Sequence, residues 1–100
     1  MKKIEAIIRE QVLKELCRAI EESGAGGVTV IPCQGFGHHR NGLQPRVKVE
    51  IYADDFQVDK IVKLVRGIAR TGVTGDGKIA VFDMENLIRI RTGEEGENAI

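Results

Sequence analysis

The period of the apolar positions switches repeatedly along this chain, and each switch marks an element. Residues 2–8 alternate and then end apolar, with Ile4, Ala6, Ile7 and Ile8, which reads as a strand. From about Gln11 to Ser23, the positions Val12, Leu13, Leu16, Cys17 and Ile20 fall on one helical face. The glycine-rich run 24–27 stops that helix and turns the chain. Residues 28–31 resume extended structure toward Gly35, Phe36 and Gly37, and a polar stretch then leads to residues 47–52, which alternate cleanly by two. Asp54 and Asp55 suit a helix start, and Val58, Ile61, Val62, Val65, Ile68 and Ala69 predict a second amphipathic helix that ends before Gly72. Residues 78–82 read as a strand, residues 87–91 as another short extended segment, and residues 92–100 as an acidic, glycine-containing tail.

This order, β-α-β-β-α-β, predicts one α+β domain over residues 1–100 with the ferredoxin-like split arrangement. One antiparallel sheet would carry both helices on one face and leave the other to be covered by self-association. Size points the same way, since a 100-residue domain buries only roughly 60–70% of its unfolded surface. Fifteen basic residues balance fifteen acidic ones, so no global field draws the chain to nucleic acid or to a membrane. An anion site must therefore come from local arrangement. The charged opening lacks the pattern of a signal peptide, and no apolar run is long enough to span a bilayer, so a cytoplasmic location is expected. Cys17 and Cys33 have no zinc or CxxC spacing and read as reduced thiols, with Cys17 expected in the core.

Three segments carry candidate chemistry. In residues 71–78 (TGVTGDGK), glycines at 72, 75 and 77 let backbone N–H groups approach an anion, and Lys78 adds charge. The run from Gly72 to Lys78 fits the spacing of a P-loop. Ile79 stands where a magnesium-binding Ser or Thr is needed, however, and the loop follows a helix and opens a strand, so a Walker NTPase is excluded. A phosphate cradle of another kind and a plain turn both remain. Arg89 and Arg91, two apart in an extended segment, would project to one side and suit phosphate oxygens, or would line a solvated strand face. Gly35 and Gly37 let backbone approach a ligand, or mark a bend. His38 and His39 are weak metal candidates because no partner ligand stands near them in sequence. Arg9, Glu10, Lys14 and Glu15 read as a solvated helix start. No nucleophile and base are arranged as in an enzyme.

Together the segments resemble the PII signalling protein family over nearly the whole chain. The resemblance rests on residues 1–8 (MKKIEAII), 28–30 (VTV) with 35–37 (GFG), 71–79 (TGVTGDGKI) and 88–95 (IRIRTGEE). It implies a non-enzymatic regulator, a homotrimer with ATP or ADP in the clefts between subunits. Gly75, Asp76, Gly77 and Lys78 would then cradle phosphates, with Arg89 and Arg91 reaching them across the interface. Thr29 and the strand around Glu50 would hold adenine and ribose. Gly35, Phe36, Gly37 and His38 would close the cleft, with Arg46 at the base of the loop.

The departures lie in the family's T-loop, here residues 38–46. Only nine residues separate Gly37 from Val47, about a dozen fewer than the family's usual loop, and the tyrosine modified there has no counterpart. His39 stands where the family's magnesium- and 2-oxoglutarate-binding Gln would be, and Arg46 where its Lys would be. Arg9-Glu10 replaces the usual Lys-Pro, and Ala80 a common aromatic. The resemblance thus implies a kept nucleotide cleft and altered effector chemistry, with weakened 2-oxoglutarate binding, as in carboxysome-associated and other specialised members. The target would be a transporter or an enzyme of nitrogen or carbon metabolism. Sensing of another ligand (bicarbonate, another adenine nucleotide or a metal ion) and slow ATP hydrolysis stand as alternatives.

Overall fold

The computed structural model describes residues 1–38 and 42–100. Strand β1 (Lys2–Ile8) leads through a 3-10 turn at Glu10–Val12 into helix α1 (Leu13–Glu22). Strands β2 (Thr29–Gly35) and β3 (Gln44–Ala53) follow, then a 3-10 turn at Asp55–Gln57, helix α2 (Val58–Ala69) and strand β4 (Lys78–Asp83). The four strands form one antiparallel sheet in the order β2-β3-β1-β4. This is the β-α-β-β-α-β arrangement that the sequence pattern predicts. Strand β3 is longer than residues 47–52 because Gln44, Pro45 and Arg46 pair with Gly35, Gln34 and Cys33 on the β2 edge.

Alternation builds the core. Ile4, Ala6 and Ile8 of β1 and Val47, Val49, Ile51 and Ala53 of β3 are buried on one face, against Leu16 and Ile20 of α1 and Ile61, Val65 and Ala69 of α2. The helical residues repeat every four positions, so each helix offers one stripe to the sheet. Burying a Leu, Ile or Val side chain is worth roughly 1.5–3 kcal/mol, and the fully buried ones on the sheet lie on its two central strands. The edge strands β2 and β4 hold no fully buried residue. Cys17 is half-buried and outside the core, contrary to the sequence expectation. Its position on α1 follows directly after Leu16, on the shoulder of the buried stripe rather than at its centre.

The other sheet face carries Lys3, Glu5 and Ile7, then Lys48, Glu50 and Tyr52, with Phe82 at the β4 edge. Glu5 and Glu50 stand directly opposite each other in register, an arrangement that repels unless it is compensated. Lys48 lies 3.2 Å from Glu5 and Lys3 lies 3.8 Å from Glu50, and Lys3 also sits 4.8 Å above the Phe82 ring. Ile7, Tyr52 and Phe82 remain 36–43% exposed on this uncovered face. Among the described residues, no helix is long and apolar enough to cross a membrane.

Candidate functional site

Helix α2 ends where Arg70 turns extended, and the chain enters the loop 71–77 before β4 begins at Lys78. Asp76 shapes this loop from within. Its carboxylate accepts the N–H of Thr71 at 2.8 Å, the N–H of Gly72 at 2.9 Å and the Thr71 hydroxyl. The Thr71 hydroxyl oxygen in turn accepts the N–H of Val73 at 3.2 Å. Gly75 and Gly77 have φ of 100° and 99°, a region that favours glycine, and neither makes a hydrogen bond among the described residues.

Sequence reasoning missed Arg9 here. Instead of a solvated helix start, Arg9 donates to the Thr74 carbonyl and brings Nε to 3.6 Å from Asp76. The strand direction of β1 carries Arg9 off the sheet end toward the loop, a tertiary effect that charge patterning does not register. A Cβ built on Gly75 would lie 2.8 Å from Arg9 Nη2 and 3.1 Å from Arg46 Nη2, so two guanidinium groups flank that glycine. Arg46 donates to the Pro45 carbonyl at 2.7 Å, and neither Arg46 nor Lys78 has a carboxylate partner among the described residues. The loop thus presents unpaired N–H groups beside uncompensated cations, an arrangement suited to oxyanions.

The hydrogen bond from the Thr71 hydroxyl, backed by the N–H groups of Thr71 and Gly72 and the charge of Arg9, holds the Asp76 carboxyl down at about 2. A depressed carboxyl stabilises the loop above its ordinary pKa, and that contribution is lost as pH falls through the folded value. The amide resonances of Thr71 and Gly72 are expected to be flat from pH 7 to 4 and to titrate near pH 2. A midpoint near 4 would show that Asp76 does not hold the loop.

A second cluster forms at the start of β2. Thr29 pairs with Glu50 in register, and with Tyr52, Arg89, Gly26 and Ile100 they line a cavity of about 320 Å³. The Arg89 guanidinium is fixed by Glu94 Oε1 at 3.2 Å and by the main-chain oxygen of Ile100 at 3.0 Å. Residues 87–91 are not the extended segment that the sequence suggested. Only Ile88 forms a bridge, to Glu95, and the Gly93 N–H closes a turn onto the Arg89 carbonyl at 2.8 Å. Gly93, with φ of 74°, permits that reversal. Arg89 and Arg91 therefore do not share a strand face: Arg89 joins the cavity, and Arg91 is exposed in the turn.

Of the remaining predicted residues, Gly35 is the last of β2, opposite Gln44, and Phe36, Gly37 and His38 are exposed beyond it. A Cβ at Gly35 or Gly37 would meet nothing within 4 Å, so both leave open room rather than a tight approach. His39 lies outside the described residues. Tyr52 was not singled out from sequence, although its placement two residues after Glu50 on an alternating strand puts it on the same face.

The two clusters occupy opposite edges of the sheet. Lys78 begins β4 at one edge and Thr29 begins β2 at the other, three strand spacings or roughly 14 Å apart. They line separate cavities. Asp76, Gly77 and Lys78 border one of about 430 Å³, and Thr29, Glu50 and Arg89 border the smaller one.

Residues 1–94 match the family model described as Nitrogen regulatory protein P-II. The chain is 42% identical to the Nitrogen regulatory protein P-II of Pasteurella multocida and 42% identical to the Nitrogen regulatory protein P-II 1 of Escherichia coli, in each case over all of both chains. These alignments run over 112 positions, twelve more than this chain has residues, which agrees in size with the shortened loop. The structure of Arabidopsis thaliana PII bound to citrate superposes with a TM-score of 0.87 at 39% identity, covering 98% of this chain and 87% of that one. Full-length identity and fold agree, and the chain belongs to the P-II family of nitrogen regulatory proteins, which are signalling regulators.

Proposed function

We propose that this chain is an adenine-nucleotide-responsive regulator that works as a homotrimer, with a site at each junction between subunits. The observation that carries this reading is the placement of two complementary half-sites on opposite sheet edges. One copy cannot bring them together, whereas a head-to-tail interface that closes into a ring joins the edge of one copy to the opposite edge of the next. In the joined site, the N–H groups of Gly75 and Gly77, Lys78 and Arg46 hold phosphates. Arg89 of the neighbour completes the anion cradle, while Arg91 stays exposed in the turn that follows it. Thr29 and Glu50 take ribose and base, and the Glu50 carboxylate accepts the adenine amino group. Gly35, Phe36, Gly37 and His38 lie at the mouth. The Asp76 carboxylate is committed to Thr71, Gly72 and Arg9, so a magnesium ion accompanying the nucleotide would be held by phosphate oxygens rather than by Asp76. The nucleotide acts by favouring one conformational state of the trimer over another. The output is regulation of a cytoplasmic partner protein, a transporter or an enzyme of nitrogen or carbon metabolism.

Calorimetry with ATP and with ADP tests the reading. Saturable binding is expected, and Lys78→Ala or Arg89→Ala is expected to weaken it by about 1.5–3 kcal/mol, the worth of a charge-assisted contact. Absence of binding by either nucleotide would overturn the assignment. Release of phosphate from ATP at a steady rate would favour a slow ATPase instead.

A further inference from the structure

We infer that Arg9 is a positioning residue of the anion loop: by holding the Thr74 carbonyl, it turns the Gly75 N–H toward the phosphates. The inference rests on the nucleotide reading above. The two ends of the loop are fixed without Arg9. Asp76 gathers Thr71 and Gly72 at the entry. At the exit, Gly77 sits so close to β1 that an added Cβ would lie 1.7 Å from the Ile7 carbonyl oxygen. The middle is different. Among the described residues, the Arg9 donation to Thr74 is the only hydrogen bond made by either polar group of the Thr74–Gly75 peptide.

That one bond decides a direction. A peptide unit is planar, and no described peptide bond is cis, so the C=O and N–H of each unit point to opposite sides. Holding the Thr74 oxygen on the Arg9 side therefore sends the Gly75 N–H out the other way. Gly75, with φ of 100°, also has the freedom to let this peptide turn over. A flipped unit would present a carbonyl oxygen to the anion and replace an attraction with a repulsion. Arg9 can make the choice because its own backbone is fixed. It follows directly on Ile8, the last residue of β1, with extended backbone at φ −71° and ψ 144°, and its carbonyl accepts the Val12 N–H at 3.3 Å. Its Nε, 3.6 Å from Asp76, is shut off from solvent, and its Nη2 reaches to 2.8 Å from the Cβ position of Gly75. Arg9 is thus engaged with the loop itself, whereas Arg46 donates only to the Pro45 carbonyl beside it and stays available to a ligand.

Calorimetry and amide NMR on the full chain test the role, with ATP and inorganic tripolyphosphate as probes. Arg9→Met is expected to weaken both by about tenfold or more, the loss of an N–H bond to a charged acceptor. Both should suffer, because the fault lies at the phosphates. The Gly75 amide proton should move downfield when either probe saturates the parent protein, and should stay near its free position in Arg9→Met. Arg9→Lys can still donate to the Thr74 carbonyl, so it should keep the Gly75 shift and weaken binding by only about threefold. If Arg9→Met binds as the parent does, Arg9 positions nothing and the nucleotide reading stands without it. If Arg9→Met binds more weakly but the Gly75 amide still shifts at saturation, the lost charge alone is responsible and the positioning role is refuted. Loss of the Gly75 shift in Arg9→Lys would refute it too, even if Arg9→Met failed to fold. If the parent protein binds neither probe, the underlying reading fails and this role with it.

Discussion

Replacing Gly77 by alanine is expected to destabilise the protein by about 2–5 kcal/mol, far more than the removal or addition of one methyl group ordinarily does. Two independent penalties meet at this position. The backbone has φ of 99°, and an L side chain in left-handed backbone costs about 1–2 kcal/mol. The added Cβ would also lie 1.7 Å from the Ile7 carbonyl oxygen and 2.8 Å from its carbonyl carbon. That obstacle is the backbone of a central strand, which cannot swing aside as a flexible side chain would. Relief requires the loop to lift away from β1, and lifting it breaks the pairing of Lys78 with Ile7 where β4 begins. Gly72 is the internal comparison, because it has φ of 84° and open space around its Cβ position. Gly72→Ala should cost only the backbone term of about 1–2 kcal/mol. Urea unfolding of both variants, at one fixed protomer concentration so that assembly does not bias the midpoints, checks the difference. Equal costs would show that the close approach of Gly77 to Ile7 is not maintained in solution.

The elements were legible because their patterns are local. Alternation over residues 2–8 and 47–52, and the four-residue repeats of Leu16–Ile20 and Ile61–Val65–Ala69, each need only their own segment to be read. The strand extension at Gln44–Arg46 was not legible, because it depends on pairing with β2 and not on its own composition. The segment 87–91 misled for a related reason. Alternating Ile and Arg is a strand pattern, but Gly93 and Glu94 close the chain back on Arg89 before a strand can pair. The candidate site divides along the same line. Glycine spacing and Lys78 were visible as a loop suited to anions, and Glu50 as part of a strand face. Arg9 and Tyr52 were missed because what matters is where β1 and β3 deliver them, and periodicity does not say which neighbours wait there. Composition alone left Thr29, Glu50 and Arg89 as three unrelated positions; the structure brings all three to the lining of one cavity.

Mixing two weakened variants is expected to restore full-affinity nucleotide sites that neither variant possesses alone. Lys78→Ala removes a cation at the β4 edge and leaves the Thr29, Glu50 and Arg89 cluster intact, while Arg89→Ala does the reverse. In a homotrimer of either variant, every junction lacks one of the two contacts. In a mixed ring, a junction that takes its loop from an Arg89→Ala subunit and its arginine from a Lys78→Ala neighbour has both. Random assembly of equal amounts makes about a quarter of the junctions complete, about a half singly defective and about a quarter doubly defective. The complete sites should bind ATP as the parent protein does, and the singly defective ones more weakly by the factor seen in the separate variants. Calorimetry on subunits refolded together, with differential tags to verify exchange, should therefore resolve a tight class of about a quarter of the total. The alternative, a site built within one subunit, makes the opposite prediction, because each chain would keep its own defect whatever its neighbours. Mixed oligomers with no tight class would thus place Lys78 and Arg89 in one chain's site, or in none, and would remove the physical reason for joining opposite edges of the sheet.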